Sequence, residues 1–291
     1  MDDSTSQIDL MSEYETTYIL GRSFRRKVEA YIERCHLEDG GYFFARVLPS
    51  SGIDTYFAVK SLSILGMKPE QPQTIGDFFL DQMKEGALSS VPGLFAAVEV
   101  MNELGQMTDD LRSYARQRLV AFQNKAGAPG AVENIRTEVP SNLEQIYRAI
   151  RILKIIGADF DEKRVARFVF TLLNPDGGYG RDRYSTLVST FYATEIHKIL
   201  GVQTEKLAST KAYLRKREGS WLQVQFIEDL FWLVKSLANL GEKSIVPDRV
   251  VKFVMACQRR NGGFSRAMIL GIPTLEHTFY ALSILREIGV L

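Results

Sequence analysis

Four arginines and three titratable residues stand at repeated positions in this chain, and their types set the chemistry to consider first. Arg46, Arg181, Arg183 and Arg266 each follow the first glycine of a Gly-Gly pair by four or six residues. A guanidinium presents a planar fork of donors that matches phosphate oxygens, so these four are candidate diphosphate ligands; a solvated loop charge is the plainer alternative. Asp54, Asp229 and His277 share another slot, twelve residues ahead of a glycine that ends an apolar stretch. Paired carboxylates at one opening are what glycan hydrolases and lyases need, with Asp54 and Asp229 the candidates. A carboxylate near a helix start is also favoured by the helix dipole alone.

The elements that must position these residues are read from the glycines. Gly66, Gly105, Gly157, Gly201, Gly241 and Gly289 follow one another at intervals of 39, 52, 44, 40 and 48 residues. Glycine takes the left-handed conformation that closes a helix without a steric penalty. Counting twelve back from each gives a register position: Asp54, Gly93, Gln145, Ser189, Asp229 and His277. Two residues later every copy has an aromatic, namely Tyr56, Phe95, Tyr147, Phe191, Phe231 and Phe279, with Trp232 and Tyr280 one further on. These aromatics are candidates to line a central cavity, and equally to be plain core. A motif written six times is an internal repeat, and six helical hairpins close a ring.

The spacing predicts outer and inner helices in pairs: 23–35 with 53–65, 74–85 with 92–104, 109–125 with 141–156, 161–173 with 184–200, 204–217 with 221–240, and 247–260 with 274–288. Ser141 and Glu144 form a capping box, and Asp109-Asp110 fall where a helix start would be capped. The linker 126–140 reads as a functional loop or as an insertion. Cys35 and Cys257, the two cysteines, each stand five residues before a Gly-Gly pair and read as small buried side chains. His36 and His197 are expected on the surface.

Lys plus Arg number 36 against 35 Asp plus Glu, a net charge of +1, which excludes a global field for nucleic acid. The start has no basic segment leading into an apolar core, and nowhere do eighteen apolar residues run together, so no transmembrane segment and a soluble, cytoplasmic protein are expected. Residues 1–20 read as a flexible N-terminal tail and 21–291 as one domain.

The runs Gln258-Arg259-Arg260-Asn261-Gly262-Gly263-Phe264 and Thr278-Phe279-Tyr280-Ala281-Leu282 resemble the prenyltransferase and squalene-cyclase repeat, most closely that of protein prenyltransferase beta subunits. The resemblance spans residues 23–291 and implies an all-α fold, an (α/α)6 toroid of six helical hairpins around an apolar cavity. It implies binding of an isoprenoid diphosphate, or another lipid, and transfer of the prenyl group. A terpene cyclase-like enzyme and a non-catalytic lipid- or protein-binding toroid are the alternatives, and a helical-repeat alpha subunit is the implied partner. In that family an Asp, a Cys two residues later and a His in the next repeat hold zinc. Asp229 and His277 match two of the three, while Phe231 stands in place of the Cys. The basic residues expected shortly before the aspartate are missing from 221–228. Asp109-Asp110 lacks the first aspartate of the cyclase Asp-x-Asp-Asp run.

Overall fold

The computed structural model describes residues 20–126, 142–220 and 225–291. The N-terminal tail, nearly all of the 126–140 linker and Ser141 of the expected capping box lie outside the described residues. Twelve α-helices follow in chain order: α1 (Arg22–Glu33), α2 (Gly52–Ile64), α3 (Pro72–Lys84), α4 (Val91–Glu103), α5 (Asp109–Ala126), α6 (Asn142–Ile155), α7 (Glu162–Thr171), α8 (Leu187–Ile199), α9 (Ala208–Gly219), α10 (Ile227–Asn239), α11 (Pro247–Ala256) and α12 (Leu275–Ile288). The even-numbered helices form the inner layer, each packed on the next, with α12 closing onto α2. The odd-numbered helices lie outside them. The result is the closed ring of hairpins that the repeat predicts.

Local chemistry accounts for the ends of the inner helices. Ser51, Ser90, Thr186 and Thr274 cap α2, α4, α8 and α12, their hydroxyls accepting the backbone N–H of Asp54, Gly93, Ser189 and His277. The register position is the third residue of α2, α4, α8, α10 and α12 and the fourth, Gln145, of α6, within the first turn where orphan N–H groups need acceptors. At the far ends, the six helix-closing glycines, Gly66, Gly105, Gly157, Gly201, Gly241 and Gly289, have positive φ, from 64° to 86°.

The Gly-Gly turns lock one repeat to the next. Gly40, Gly177 and Gly262 have φ of 89°, 89° and 102°, and a β-carbon on each would lie 2.3, 2.1 and 2.2 Å from the carbonyl oxygens of Thr74, Ser209 and Lys27. Each turn thus sits directly on the outer helix of the following hairpin. For Gly262 the following hairpin is the first one, so this contact closes the ring. Leu20 N donating to Val290 O at 2.8 Å and Arg34 Nη2 donating to Asn261 O at 2.7 Å join the same seam. The aromatic after each pair is held by a threonine one residue past the register position. Thr55, Thr190 and Thr278 accept the N–H of Tyr42, Tyr179 and Phe264 at 2.9, 3.0 and 3.1 Å. Their hydroxyls donate in turn to the carbonyls of Ser51, Thr186 and Thr274.

Several expectations are corrected. The inner helices α8 and α10 begin three and six residues later than predicted, at Leu187 and Ile227. Tyr184 is spent in a turn closed onto Arg181 O, and Ile227 N donates to Arg266 O. The β-bridged turns were also not foreseen: β1 (Phe264–Ser265) pairs antiparallel with β2 (Pro273–Thr274). Thr108, not an aspartate, caps α5 by accepting Leu111 N at 3.2 Å. His197 is buried rather than at the surface. Its Nε2 meets the Tyr179 hydroxyl at 2.9 Å, and burial pushes its pKa down to about 4. His36 is half-buried against Tyr42. Cys35 and Cys257 are buried free thiols, as expected.

Thr278→Val keeps the shape of the side chain but leaves the buried Phe264 N–H without an acceptor, so it is expected to lower unfolding free energy by about 1–3 kcal/mol in urea titration. An unchanged midpoint would mean that the Gly-Gly turn does not depend on this clamp.

Candidate functional site

The aromatics of the register repeat meet in an unbroken circle at the centre of the ring. Tyr56 and Phe95 are 5.1 Å apart between centroids, Phe95 and Tyr147 6.0 Å, Tyr147 and Tyr192 5.5 Å, and Tyr192 and Phe191 4.9 Å. The circle continues from Phe191 to Phe231 at 5.2 Å, to Phe279 at 5.8 Å, and back to Tyr56 at 6.1 Å. Tyr280 stacks on Phe231 at 4.4 Å, and Trp232 is half-buried against the same core. These rings pack against the main core, and burial raises the phenol pKa values of Tyr56, Tyr147, Tyr192 and Tyr280. Each nevertheless keeps part of its surface accessible. These partly accessible aromatic rings at the centre of the ring are the candidate lining of a lipid cavity.

On one side of the aromatic circle lies a collar of charge that sequence reasoning missed. Six residues past the register position stand Lys60, Glu99, Arg151, Glu195, Lys235 and Ser283. Charges of opposite sign alternate around five of the six helices. Glu99, only 2% exposed, takes Arg151 at 2.6 Å and Lys60 at 3.3 Å. Lys60 also reaches Glu103 at 2.8 Å, Lys235 pairs with Glu287 at 2.6 Å, and Asn239 Nδ2 donates to Glu195 at 2.7 Å. Such a buried carboxylate is tolerated because two cations compensate it. The signal was present in the sequence, as one charged slot per repeat at fixed register.

The opposite end, at the inner-helix N-termini, is the mouth. One residue before the register position stand three glutamates, Glu144, Glu228 and Glu276. Tyr192 donates to Glu144 and Tyr280 to Glu276, both at 2.8 Å, and Arg148 pairs with Glu144 at 2.5 Å. Glu228 Oε1 takes Arg266 at 2.5 Å, while its Oε2 is buried without a hydrogen-bond partner among the described residues and lies 3.9 Å from His277 Nε2. The Thr274 hydroxyl accepts the His277 backbone N–H at 3.1 Å and sits 2.7 Å from Nδ1. Burial lowers the His277 pKa against the opposing pull of Glu276 and Glu228. Burial, then the Glu228 charge, raises that of Asp229.

The structure thus joins His277 to Glu228 rather than to Asp229. Phe231, in the slot where the resembling enzymes have a thiolate, is committed to the aromatic circle. Catalytic zinc has three protein ligands and one open position. A carboxylate and an imidazole with a stacked phenyl group in the third place do not fit that site, and among the described residues no cluster of three potential ligands occurs.

The four arginines lie on the loops that precede α2, α8 and α12, all at the mouth end. The structure does not gather them. Arg266 is seated at the mouth, its guanidinium 4.0 Å from the Phe226 ring centre and paired with Glu228. Arg46 reaches back towards Cys35, where its charge opposes the burial-driven rise of the thiol pKa. Arg181 and Arg183 are exposed, and Arg183 has φ of 64°.

Asp54 is buried at the mouth, and desolvation pushes its carboxyl up to about 6, against the Phe44 N–H that favours the charge. A folded-state pKa above the ordinary value near about 3.9 stabilises the fold fully below that value and loses the contribution as pH rises through about 6. Asp54→Asn is therefore expected to melt higher than wild type at pH 8 and equally at pH 4. Parallel melting curves across that range would remove Asp54 as the titrating group.

Two concentric layers of helices around a closed, aromatic-walled centre define a prenyltransferase-like α-α toroid. The Prenyltransferase alpha-alpha toroid domain family matches residues 5–93, and the Ribophorin II N-terminal domain family matches residues 131–289. Over 131–289, more than half its length, the chain belongs to the Ribophorin II N-terminal domain family, and its prenyltransferase-like toroid is a likeness of fold. Among solved structures it is similar to Candida albicans protein geranylgeranyltransferase-I complexed with GGPP, with a TM-score of 0.68, 18% identity and 90% of each chain covered. At that identity the likeness is one of fold. No curated protein matches. Among the described residues no helix is long and apolar enough to cross a membrane.

Proposed function

We propose that this toroid binds an isoprenoid diphosphate, with the hydrocarbon in the aromatic hollow and the headgroup at the mouth, as the first step of prenyl transfer. The observation that carries the reading is the unbroken circle of deep, accessible aromatic rings. Each methylene moved from water into such walls contributes about 0.8 kcal/mol, and π-faces suit the flat double bonds of an isoprenoid. The charged collar stops the chain at the far end. The solved toroid to which this chain is similar is itself complexed with GGPP. In transfer, charge builds on the leaving diphosphate oxygens, and a donor fixed beforehand lowers the barrier. Arg266, held by Glu228 and Phe226, is the best-seated donor.

A second reading is a toroid that holds a lipid without turning it over. The occupation of the thiolate slot by Phe231 and the neutralisation of Arg266 by Glu228 favour it.

Binding of farnesyl diphosphate and farnesol, followed by quenching of tryptophan fluorescence in a Trp221→Phe background that leaves Trp232 as reporter, tests the proposal. Arg266→Gln is expected to weaken the diphosphate at least about tenfold, the equivalent of about 1.4 kcal/mol, and to leave the alcohol unchanged. Arg181→Gln combined with Arg183→Gln, whose guanidiniums make no contact with the mouth glutamates, is expected to do less. Equal binding of both lipids by wild type and all variants would select the second reading, and no binding of either would make the circle plain core.

Zinc content gives a separate check. Wild type, whose Asp229 and His277 lack a third ligand, is expected to hold no more zinc than His277→Ala, and Phe231→Cys to gain affinity, where a thiolate supplies that ligand. The same metal content in all three proteins would leave the pair as packing residues.

A further inference from the structure

The exposed apolar side chains are not scattered. Eight large hydrophobic residues stand exposed among the described residues: Val47, Leu48, Tyr184, Ile245, Met268, Ile269, Leu270 and Ile272. All but Ile245 lie on three loops at the mouth end, before α2, α8 and α12. Exposure is extreme at the tips, 89% for Ile269 and 74% for Tyr184. Single exposed apolar residues need no explanation, but their segregation to one face does.

The largest of these loops is built to display its side chains. Residues 266–272 form the tip of the β1–β2 hairpin. Arg259 Nη1 donates to Met268 O at 2.8 Å and Nη2 to Ala267 O at 3.0 Å, and the Ser265 hydroxyl donates to Ala267 O at 2.9 Å. Gly271, with φ of 92°, turns the chain back. With the carbonyls held inward by a guanidinium, Met268, Ile269 and Leu270 face solvent from a fixed backbone. A loop with no partner would be expected to fold such residues under.

We propose that the mouth face docks on the surface of an anionic phospholipid leaflet. Each of the three loops pairs its apolar tip with arginine: Arg46 beside Val47, Arg183 beside Tyr184, and Arg266 two residues before Met268. Across 45–49, 180–184 and 266–272 there are four arginines and one acid, Asp182. Arg181 and Arg183 stand exposed, while Arg266 is paired with Glu228 and Arg46 turns towards Cys35; cations at phosphate depth with aliphatic and tyrosine side chains just below them is the arrangement an interfacial contact rewards. The tips come from separate loops, and a fluid leaflet accepts separate tips where a protein partner would need one continuous complementary surface. On the lipid-binding reading, the headgroup end of the aromatic circle lies on the same face. A chain could then pass from leaflet to ring without crossing water, a link that rests on the lipid-binding reading above, whereas the docking itself does not.

The test is co-sedimentation of the intact protein with vesicles of phosphatidylcholine alone and of phosphatidylcholine with phosphatidylserine, both without isoprenoid. Wild type is expected to bind the mixed vesicles, less so at high salt. Ile269→Ser combined with Leu270→Ser is expected to weaken that binding at least about tenfold with an unchanged melting temperature, and Ile245→Ser, at the other end of the ring, to leave it alone. No sedimentation with mixed vesicles would overturn the proposal. So would an equal loss in Ile245→Ser, or a wild-type dimer that ignores vesicles and is dispersed by the loop variant, which would assign the patch to a second copy of the chain. Farnesol binding in vesicle-free solution reports on the hollow independently, so the two readings fail separately.

Discussion

A β-carbon on Gly262 would fall 2.2 Å from the carbonyl oxygen of Lys27, and the closure of the ring depends on that carbon being absent. Helical hairpins stacked side by side form an open solenoid unless the last can dock on the first. Here the docking device of the last hairpin is the same Gly-Gly turn that joins the first to the second, where Gly40 meets Thr74, and the fourth to the fifth, where Gly177 meets Ser209. The ring closes because its seam is made like its internal joints. A closed ring has an interior, and every functional statement about the protein concerns that interior or its rim.

The interior is layered along the ring axis. Glutamates and His277 stand at the N-terminal ends of the inner helices, aromatic rings occupy the next turn, and a collar of alternating charge follows. The order arises because all six inner helices run the same way, so one repeat position becomes one layer. Charge of a single sign in the collar would repel itself across a low-dielectric space. Alternation gives Glu99 counter-ions on both sides, Lys60 and Arg151, while Lys235 pairs with Glu287 and Glu195 accepts from Asn239.

The mouth is governed by competition for partners. Glu228 draws Arg266 with one oxygen and faces His277 with the other, so the imidazole that the repeat aligns with Asp229 is turned to its sequence neighbour instead. The same competition disperses the arginines: one is seated at Glu228, another reaches back to Cys35, and two extend into solvent on a turn with positive φ. Loop conformation, unlike helix position, is not copied from repeat to repeat. That difference separates the layers of the interior from the irregular rim, and it leaves the exposed apolar tips on loops of unequal length.

What the sequence determined by itself was everything that repeats. The six C-terminal glycines, the register position and the aromatics two residues later sit where the period placed them, because a helix carries a fixed rotation per residue and a closing glycine fixes its end. The collar was equally legible, since Lys60, Glu99, Arg151, Glu195 and Lys235 share one register, and went unread only because the alternation of sign hides a shared slot. Tertiary structure decided what depends on approach between distant residues. The burial of His197 against Tyr179 and the choice of Glu228 over Asp229 by His277 rest on side-chain directions at contacts between elements. The display of Ile269 rests on Arg259 reaching across a loop to hold its carbonyls. None of these has a period, and pattern in one chain reports only on what recurs.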